Sequence, residues 1–454
     1  MVLIKILSLI LLLPSLYSIR KLIGKRELNF FDFLLLFSTL YFAIIPLKSN
    51  QEVFDSIGLI TRDNSLFVFY YLLFYFLLLA FLSTRIKENN KTAINITLFL
   101  KNYPDINASL ILKILLIVLP IFSITYYVPQ MSIISAFSEI RDANSDASYE
   151  QSSMVKYFGT IFKLGLIITL KLFFQKKQGR KVDVLVLSSL LIFLVNLVML
   201  PRRELLVFCL FGAVLFYSSN RDAINKKFIL TIACFGIFLY TVYFPFYNII
   251  RFSPVQFDLN NPAESINALY NYGVTRYDDS KEGASNSTDT RAIGLYRAVY
   301  WLAKYDTNED ISWGGITLAA IDHAIPKAIN PGKGLGSETI LEKRMHAPND
   351  SADSILLLAL ADYSIFGNLY AILLYILVYF LLLYISNTSE KTFGKNIISY
   401  YLIFFIFRLT FDVEQKLDAI LANIVSYILV IVLIVAIQKL NIISLSERPK
   451  IKTS

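Results

Sequence analysis

Arginines beside apolar runs, and a histidine among acids, are the side chains whose types and spacing could do chemistry. Pro201-Arg202-Arg203-Glu204 joins two apolar runs with almost no loop between them. Arg251 stands at the end of a later run, and Arg408 lies inside another, in Phe404-Phe405-Ile406-Phe407-Arg408-Leu409-Thr410-Phe411-Asp412. Planar guanidinium groups grip phosphate oxygens two at a time, and beside apolar walls that attraction is poorly screened. These residues therefore suit a phosphate or pyrophosphate held against a membrane, with Arg291 and Arg297 as further candidates. Plainer readings stand beside this one. Arg202 and Arg203 could snorkel to lipid phosphates, and Arg408 could pair with Asp412 one turn on.

His346, in Arg344-Met345-His346-Ala347-Pro348-Asn349-Asp350, could act as a general base towards a hydroxyl, with Asp350 or Asp353 as substitutes. An inert loop histidine is the alternative. His323 follows Asp322 in a candidate helix. Glu139, Arg141, Asp142 and Asp146 read as a solvated loop. The two histidines lie far apart, and the two cysteines, Cys209 and Cys234, sit in apolar runs, so no metal site is expected. Neither a phosphate-cradling loop nor a dinucleotide fingerprint occurs, so neither ATP nor NAD is implied, and no cofactor is expected.

The elements that must position these residues are membrane helices. The chain has 454 residues, 56% of them hydrophobic and 17% charged. Apolar runs near the length of about 20 residues needed to cross a bilayer recur along it. Without water to satisfy the backbone such runs must be helical, and the alternation of a β-barrel is absent. Eleven spans are expected, near 2–19, 29–47, 66–83, 108–127, 157–174, 184–200, 205–219, 228–248, 366–386, 396–413 and 419–438. The first is expected to be a helix of the mature chain, since its basic group follows the apolar run. The fold class is thus all-α, a polytopic transmembrane bundle. Residues 1–250 form a first membrane region, 251–365 a large loop containing short helices, and 366–454 the last spans and a tail.

The net charge of +9 sits in short clusters: Arg20, Lys21, Lys25 and Arg26; Arg85, Lys87, Lys91 and Lys101; Lys176, Lys177, Arg180 and Lys181; Arg221, Lys226 and Lys227; then Lys391, Lys395 and the tail. All fall on one side of an eleven-span chain. Positive-inside then puts the N-terminus and the 251–365 loop outside and the C-terminus in the cytoplasm, and such spacing argues against nucleic acid. Lys113, Lys163 and Lys171 also interrupt spans, and since lysines close to span ends can snorkel, no role is assigned to them. Within the large loop, short helices are expected at 263–272 and 291–305, with a surface helix at 355–360.

Local motifs add a resemblance. Trp313-Gly314-Gly315, Ile325-Pro326-Lys327 and Pro331-Gly332-Lys333 resemble the Gly, Ile-Pro-Arg and Lys-Pro series in the large loop of the O-antigen and lipid-linked oligosaccharide polymerases, the Wzy family. Arg202 or Arg203 stands where that family begins a span with a small-residue/Arg turn, and Arg408 near a late-span arginine. Lys327 replaces the usual arginine, and the family's longer Arg-to-Gly spacing is not reproduced, Gly212 falling one residue short of it from Arg202. The resemblance implies a GT-C-like membrane glycosyltransferase of the bacterial inner membrane. It would join undecaprenyl-pyrophosphate-linked repeat units on the periplasmic face, without a metal or cofactor. Membrane lipids and a chain-length co-polymerase of the Wzz type are the implied partners. An O-antigen ligase, or a flippase for the same lipid-linked unit, is the alternative.

Overall fold

The computed structural model describes residues 2–49, 62–85, 95–123, 147–175, 183–199, 202–219, parts of 261–274, 295, 296, 298, 312–325, 330–332, 334–345, 354–393, 397–411, 413 and 417–446. Helix accounts for 86% of them. Two compact units divide the chain. The first comprises Met1–Phe99, Asn286–Asn387 and Phe405–Val425, and the second Leu100–Ser285, Thr388–Phe404 and Ser426–Ser454.

Helices α1 (Val2–Leu11) and α2 (Leu16–Ile23) are one apolar run interrupted at Leu13–Ser15, where Pro14 forces a 3₁₀ turn. Helix α3 (Phe30–Thr39) begins with a capping box, in which Asn29 and Asp32 each bond the other's backbone N–H at 2.9 Å. It continues through a π-helical turn, Leu40–Ile44, into α4 (Ile45–Lys48). Pro46 has no N–H for the ladder, which accounts for the widened turn before it. Helix α5 (Arg62–Arg85) buries Tyr71, Leu72, Tyr75, Phe76 and Leu79.

In sequence Lys21 belongs to the basic cluster of Arg20, Lys25 and Arg26, which suggests a surface cation. Instead it is 3% exposed, and its Nζ lies 3.0 Å from Asp32 Oδ2. Ser18 and Ser83 also donate to Asp32, at 2.7 and 2.5 Å. The carboxylate ties α2, α3 and α5 together, and that pairing draws the lysine inward.

In the second unit, α6 (Ile96–Asn102), which starts in the first, leads to strand β1 (Asp105–Ala108) and helix α7 (Leu110–Phe122). Then come α8 (Ala147–Phe174), α9 (Val184–Met199) and α10 (Arg202–Ser219). Pro120 inside α7 deprives the Leu116 carbonyl of its helical partner, and Ser189 Oγ on α9 donates to that oxygen at 2.8 Å. Lys171 does not snorkel. It is 3% exposed, with the Tyr103 and Tyr400 rings about its Nζ and Asp105 Oδ1 3.9 Å away. Lys113 pairs with Asp183.

The first unit resumes with α11 (Gly315–Ala324), α12 (Ser337–Met345) and α13 (Ile355–Tyr363). Helix α13 corrects an expectation. The sequence predicts a surface helix at 355–360, yet Ile355 to Asp362 are all buried. A run of consecutive apolar residues with no polar stripe belongs inside. The Tyr71 hydroxyl donates to Leu356 O at 2.9 Å and so fixes α13 to α5. A turn at Ser364–Phe366 leads into α14 (Gly367–Phe393), followed by α15 (Ile398–Phe411), α16 (Leu417–Lys439) and β2 (Ile443–Ser446). Rings of the first unit interlock: Phe30 with Tyr379 at 5.3 Å, Phe33 with Phe407 at 5.4 Å, and Phe37 with Phe411 at 5.1 Å.

Helices stand at ten of the eleven places where spans were expected, and 228–248 lies outside the described residues. Among the described residues four stretches are by themselves long and apolar enough to cross a membrane: Val2–Ile23, Phe30–Lys48, Arg62–Arg85 and Ile355–Thr392. Several helices outrun their apolar parts, as Arg62–Arg85 does the expected 66–83, because backbone bonding continues past the hydrophobic length. Among the described residues one element departs from an all-α fold. Strands β1 and β2 pair antiparallel, with Ile106 opposite Leu445, and Gln175 closes the free edge by bonding both the N–H and the carbonyl of Ile106 at 2.9 Å.

Candidate functional site

Helix α11 is held at both ends by carboxylates of its own unit. At its start Trp313 and Gly314 take φ values of 51° and 88°. The left-handed turn is pinned to the end of α13, where Ser312 N–H donates to Ala361 O and Trp313 N–H to Asp362 O. The Asp362 side chain then reaches the helix start. It accepts from Ser312 Oγ at 2.6 Å, from the N–H of Ile316 and of Thr317 at 3.0 Å, and from Thr317 Oγ1 at 2.6 Å. Asp362 is fully buried, and these four donors saturate its two oxygens. A helix N-terminus attracts anions, but here the protein's own carboxylate fills the place a phosphate would take.

At the other end of α11, Asp322 fastens the following loop. Its oxygens accept from Asn330 Nδ2 at 2.6 Å and from Gly334 N–H at 2.9 Å. His323 Nδ1 lies 3.4 Å from the Gly334 carbonyl. A proton on Nδ1 makes that a hydrogen bond and leaves Nε2 as the basic nitrogen. Gly336 closes the group. A Cβ built on it would lie 3.1 Å from Asp418 Oδ2 and 3.3 Å from His323 Cδ2. A bare α-carbon thus lets a carboxylate from the start of α16 and an imidazole from α11 flank one point. Asp418 is 9% exposed and His323 is half-buried. An imidazole beside a carboxylate can take a proton from a bound hydroxyl.

The candidates drawn from sequence fare unevenly. Arg408 lies in the last turn of α15, half-buried, between Phe407 and Phe411 that pack on Phe33 and Phe37. A cation at a helix C-terminus gains about 0.3–1 kcal/mol from the dipole, so its position does not by itself require a ligand. Arg202 and Arg203 open α10 in the second unit. Arg251, Arg291, Arg297, His346, Asp350 and Asp353 lie outside the described residues. Asp362 and Asp418 escaped the sequence reading, although a lone acid in Leu360-Ala361-Asp362-Tyr363 is the kind of signal applied to Arg408. Among the described residues no three His, Cys, Asp or Glu side chains are grouped to hold a metal ion.

The described residues thus define a predominantly α-helical chain with four stretches fit to cross a membrane and a polar cluster around one short helix. No family model, curated protein or solved structure matches it.

Proposed function

We propose that the chain is a membrane glycosyltransferase that polymerises oligosaccharide repeat units carried on undecaprenyl pyrophosphate, at the periplasmic face of an inner membrane. The placement of His323 and Asp418 on either side of the bare Gly336 α-carbon carries this reading. The described residues of the motif series behind the family resemblance cluster around the same helix. Trp313-Gly314-Gly315 makes its entry turn, Ile325 caps its exit, and Pro331-Gly332 lies in the loop that Asp322 fastens.

In this reaction the hydroxyl oxygen of the acceptor repeat attacks the anomeric carbon of the donor glycan. The carbon–oxygen bond to pyrophosphate breaks, and undecaprenyl pyrophosphate departs with the bonding electrons. The hydroxyl proton passes to a base. His323, oriented by Gly334 O and flanked by Asp418, joins His346, Asp350 and Asp353 as a candidate for that base. Fixed arginines would stabilise the departing diphosphate. Asp362 already occupies the start of α11, which leaves Arg202, Arg203, Arg251, Arg291, Arg297 and Arg408 as its candidate partners.

Purified protein in detergent, supplied with lipid-linked repeat units and the host's chain-length co-polymerase, tests the proposal. Growth of a glycan ladder supports it and excludes a flippase, since no membrane is present to cross. Folded protein that makes no ladder overturns it. In cells lacking the gene, single repeats still attached to lipid A fit a lost polymerase, whereas complete loss of attached glycan indicates a ligase.

A further inference from the structure

Helix α11 is inside out for an element of a water-exposed loop. Its polar residues Thr317, Asp322 and His323 are buried or half-buried, while Leu318 and Ile321, three residues apart, are 66% and 45% exposed. Trp313, held out by the left-handed turn before the helix, is 74% exposed. The same character continues into the neighbouring elbow, where Phe366 is 69% exposed. From there Leu369, Leu373, Leu377 and Phe380 run as one exposed apolar stripe along α14, at spacings of three and four residues. Ring contacts join the two surfaces: Trp313 meets Tyr363 edge-on at 6.1 Å, and Tyr363 meets Tyr370 of α14 at 4.4 Å.

An apolar stripe on a helix long enough to cross a membrane faces acyl chains. A tryptophan at its upper edge sits where interfacial aromatic residues collect. We infer that α11 lies in the membrane interface. Trp313, Leu318, Ile321 and Phe366 rest among the outermost acyl carbons of the leaflet at the N-terminal end of α14, and Asp322 and His323 are thereby held at headgroup depth. The occupant of this surface is bilayer lipid, because the face is apolar throughout and continuous with the α14 stripe. The inference does not depend on the polymerase reading. If that reading holds, the placement puts the polar cluster level with a lipid's diphosphate.

Trp301 and Trp313 are the two tryptophans, so Trp301→Phe leaves Trp313 as the sole reporter. In phosphatidylcholine vesicles, lipids brominated near the headgroup end of the chain should quench most of its emission. Lipids brominated near the chain terminus should quench less, and aqueous iodide little. Leu318→Asp added to this variant should reverse the order, weakening bromolipid quenching and admitting iodide. Strong iodide quenching without the second change, or protection from both quenchers as a second copy or a protein partner would give, overturns the inference. Should Trp301→Phe fail to fold, Trp313→Phe serves instead. Bromolipid quenching must then fall relative to the unaltered chain, and unchanged quenching overturns the inference equally.

Discussion

Thr317 gives Asp362 two hydrogen bonds, one from its backbone N–H at 3.0 Å and one from its hydroxyl at 2.6 Å. The pair joins the start of α11 to the end of α13 in a place without solvent. Asp362→Ala would orphan both, together with the bonds from Ile316 and Ser312, at roughly 1–3 kcal/mol for each buried donor left unmet. Thr317→Val removes the hydroxyl bond alone, worth about 1 kcal/mol. Thermal unfolding in detergent should therefore rank the variants clearly, with Asp362→Ala far below Thr317→Val. Asp362→Asn should fall between them, since an amide offers one acceptor oxygen where the carboxylate has two.

The two glycines after Trp313 should differ in tolerance. Gly314 has φ at 88°, and a Cβ there would meet the Tyr363 hydroxyl at 3.1 Å. Strain in that region costs about 1–3 kcal/mol for a residue with a side chain. Gly315 begins α11, and its nearest neighbour to a new Cβ is Ser312 Cβ at 3.7 Å. Gly314→Ala should lower Tm and redden Trp313 emission as the turn loosens, whereas Gly315→Ala should leave both near their starting values.

Removing one partner of the Lys21–Asp32 pair should be more damaging than its place in a basic cluster suggests. Lys21→Met leaves a fully buried carboxylate without its cation, a loss of about 3–5 kcal/mol for pairs of this kind. Asp32→Asn keeps an acceptor for Ser18 or Ser83 but strands the lysine. The double variant should recover part of the loss, because neither charge is then left alone. Unfolding midpoints of the three variants check this directly. Equal midpoints for the unaltered chain and Lys21→Met would show that the pair contributes nothing.

Helices were legible because the bilayer length and the cost of unpaired backbone impose a run of apolar residues that any reader of the chain can find. The faces of those helices were not. Lys21 and Lys171 look like surface cations in sequence, since the partners that bury them, Asp32 and Asp105, lie eleven and sixty-six residues away. The strands escaped for a related reason. Four residues beside a membrane helix carry almost no alternation to see, and Gln175, which closes the edge of β1, reads as the polar end of a span. At the candidate site the Trp-Gly-Gly step was visible as a motif. That Gly314 serves a left-handed turn on α13, while Gly336 makes room between His323 and Asp418, depends on segments brought together only by folding.

That last arrangement yields the sharpest functional prediction. If His323 takes the acceptor's proton, His323→Gln should slow ladder growth by about 10²–10⁴-fold, the usual worth of a positioned base, without changing protein abundance. Asp418→Asn should slow it less, because the imidazole keeps its bond to Gly334 O. Gly336→Ala should slow it too, since the new methyl would press on both side chains at 3.1 and 3.3 Å. Arg408→Ala tests the other half of the chemistry. A diphosphate that leaves without its guanidinium should depress turnover even with saturating acceptor, while unchanged glycan length would assign Arg408 to the dipole of α15. Chain growth measured on all four purified variants, each first shown to unfold at its parent's temperature, separates lost chemistry from lost structure. Normal growth by His323→Gln would return the role of base to His346, Asp350 or Asp353.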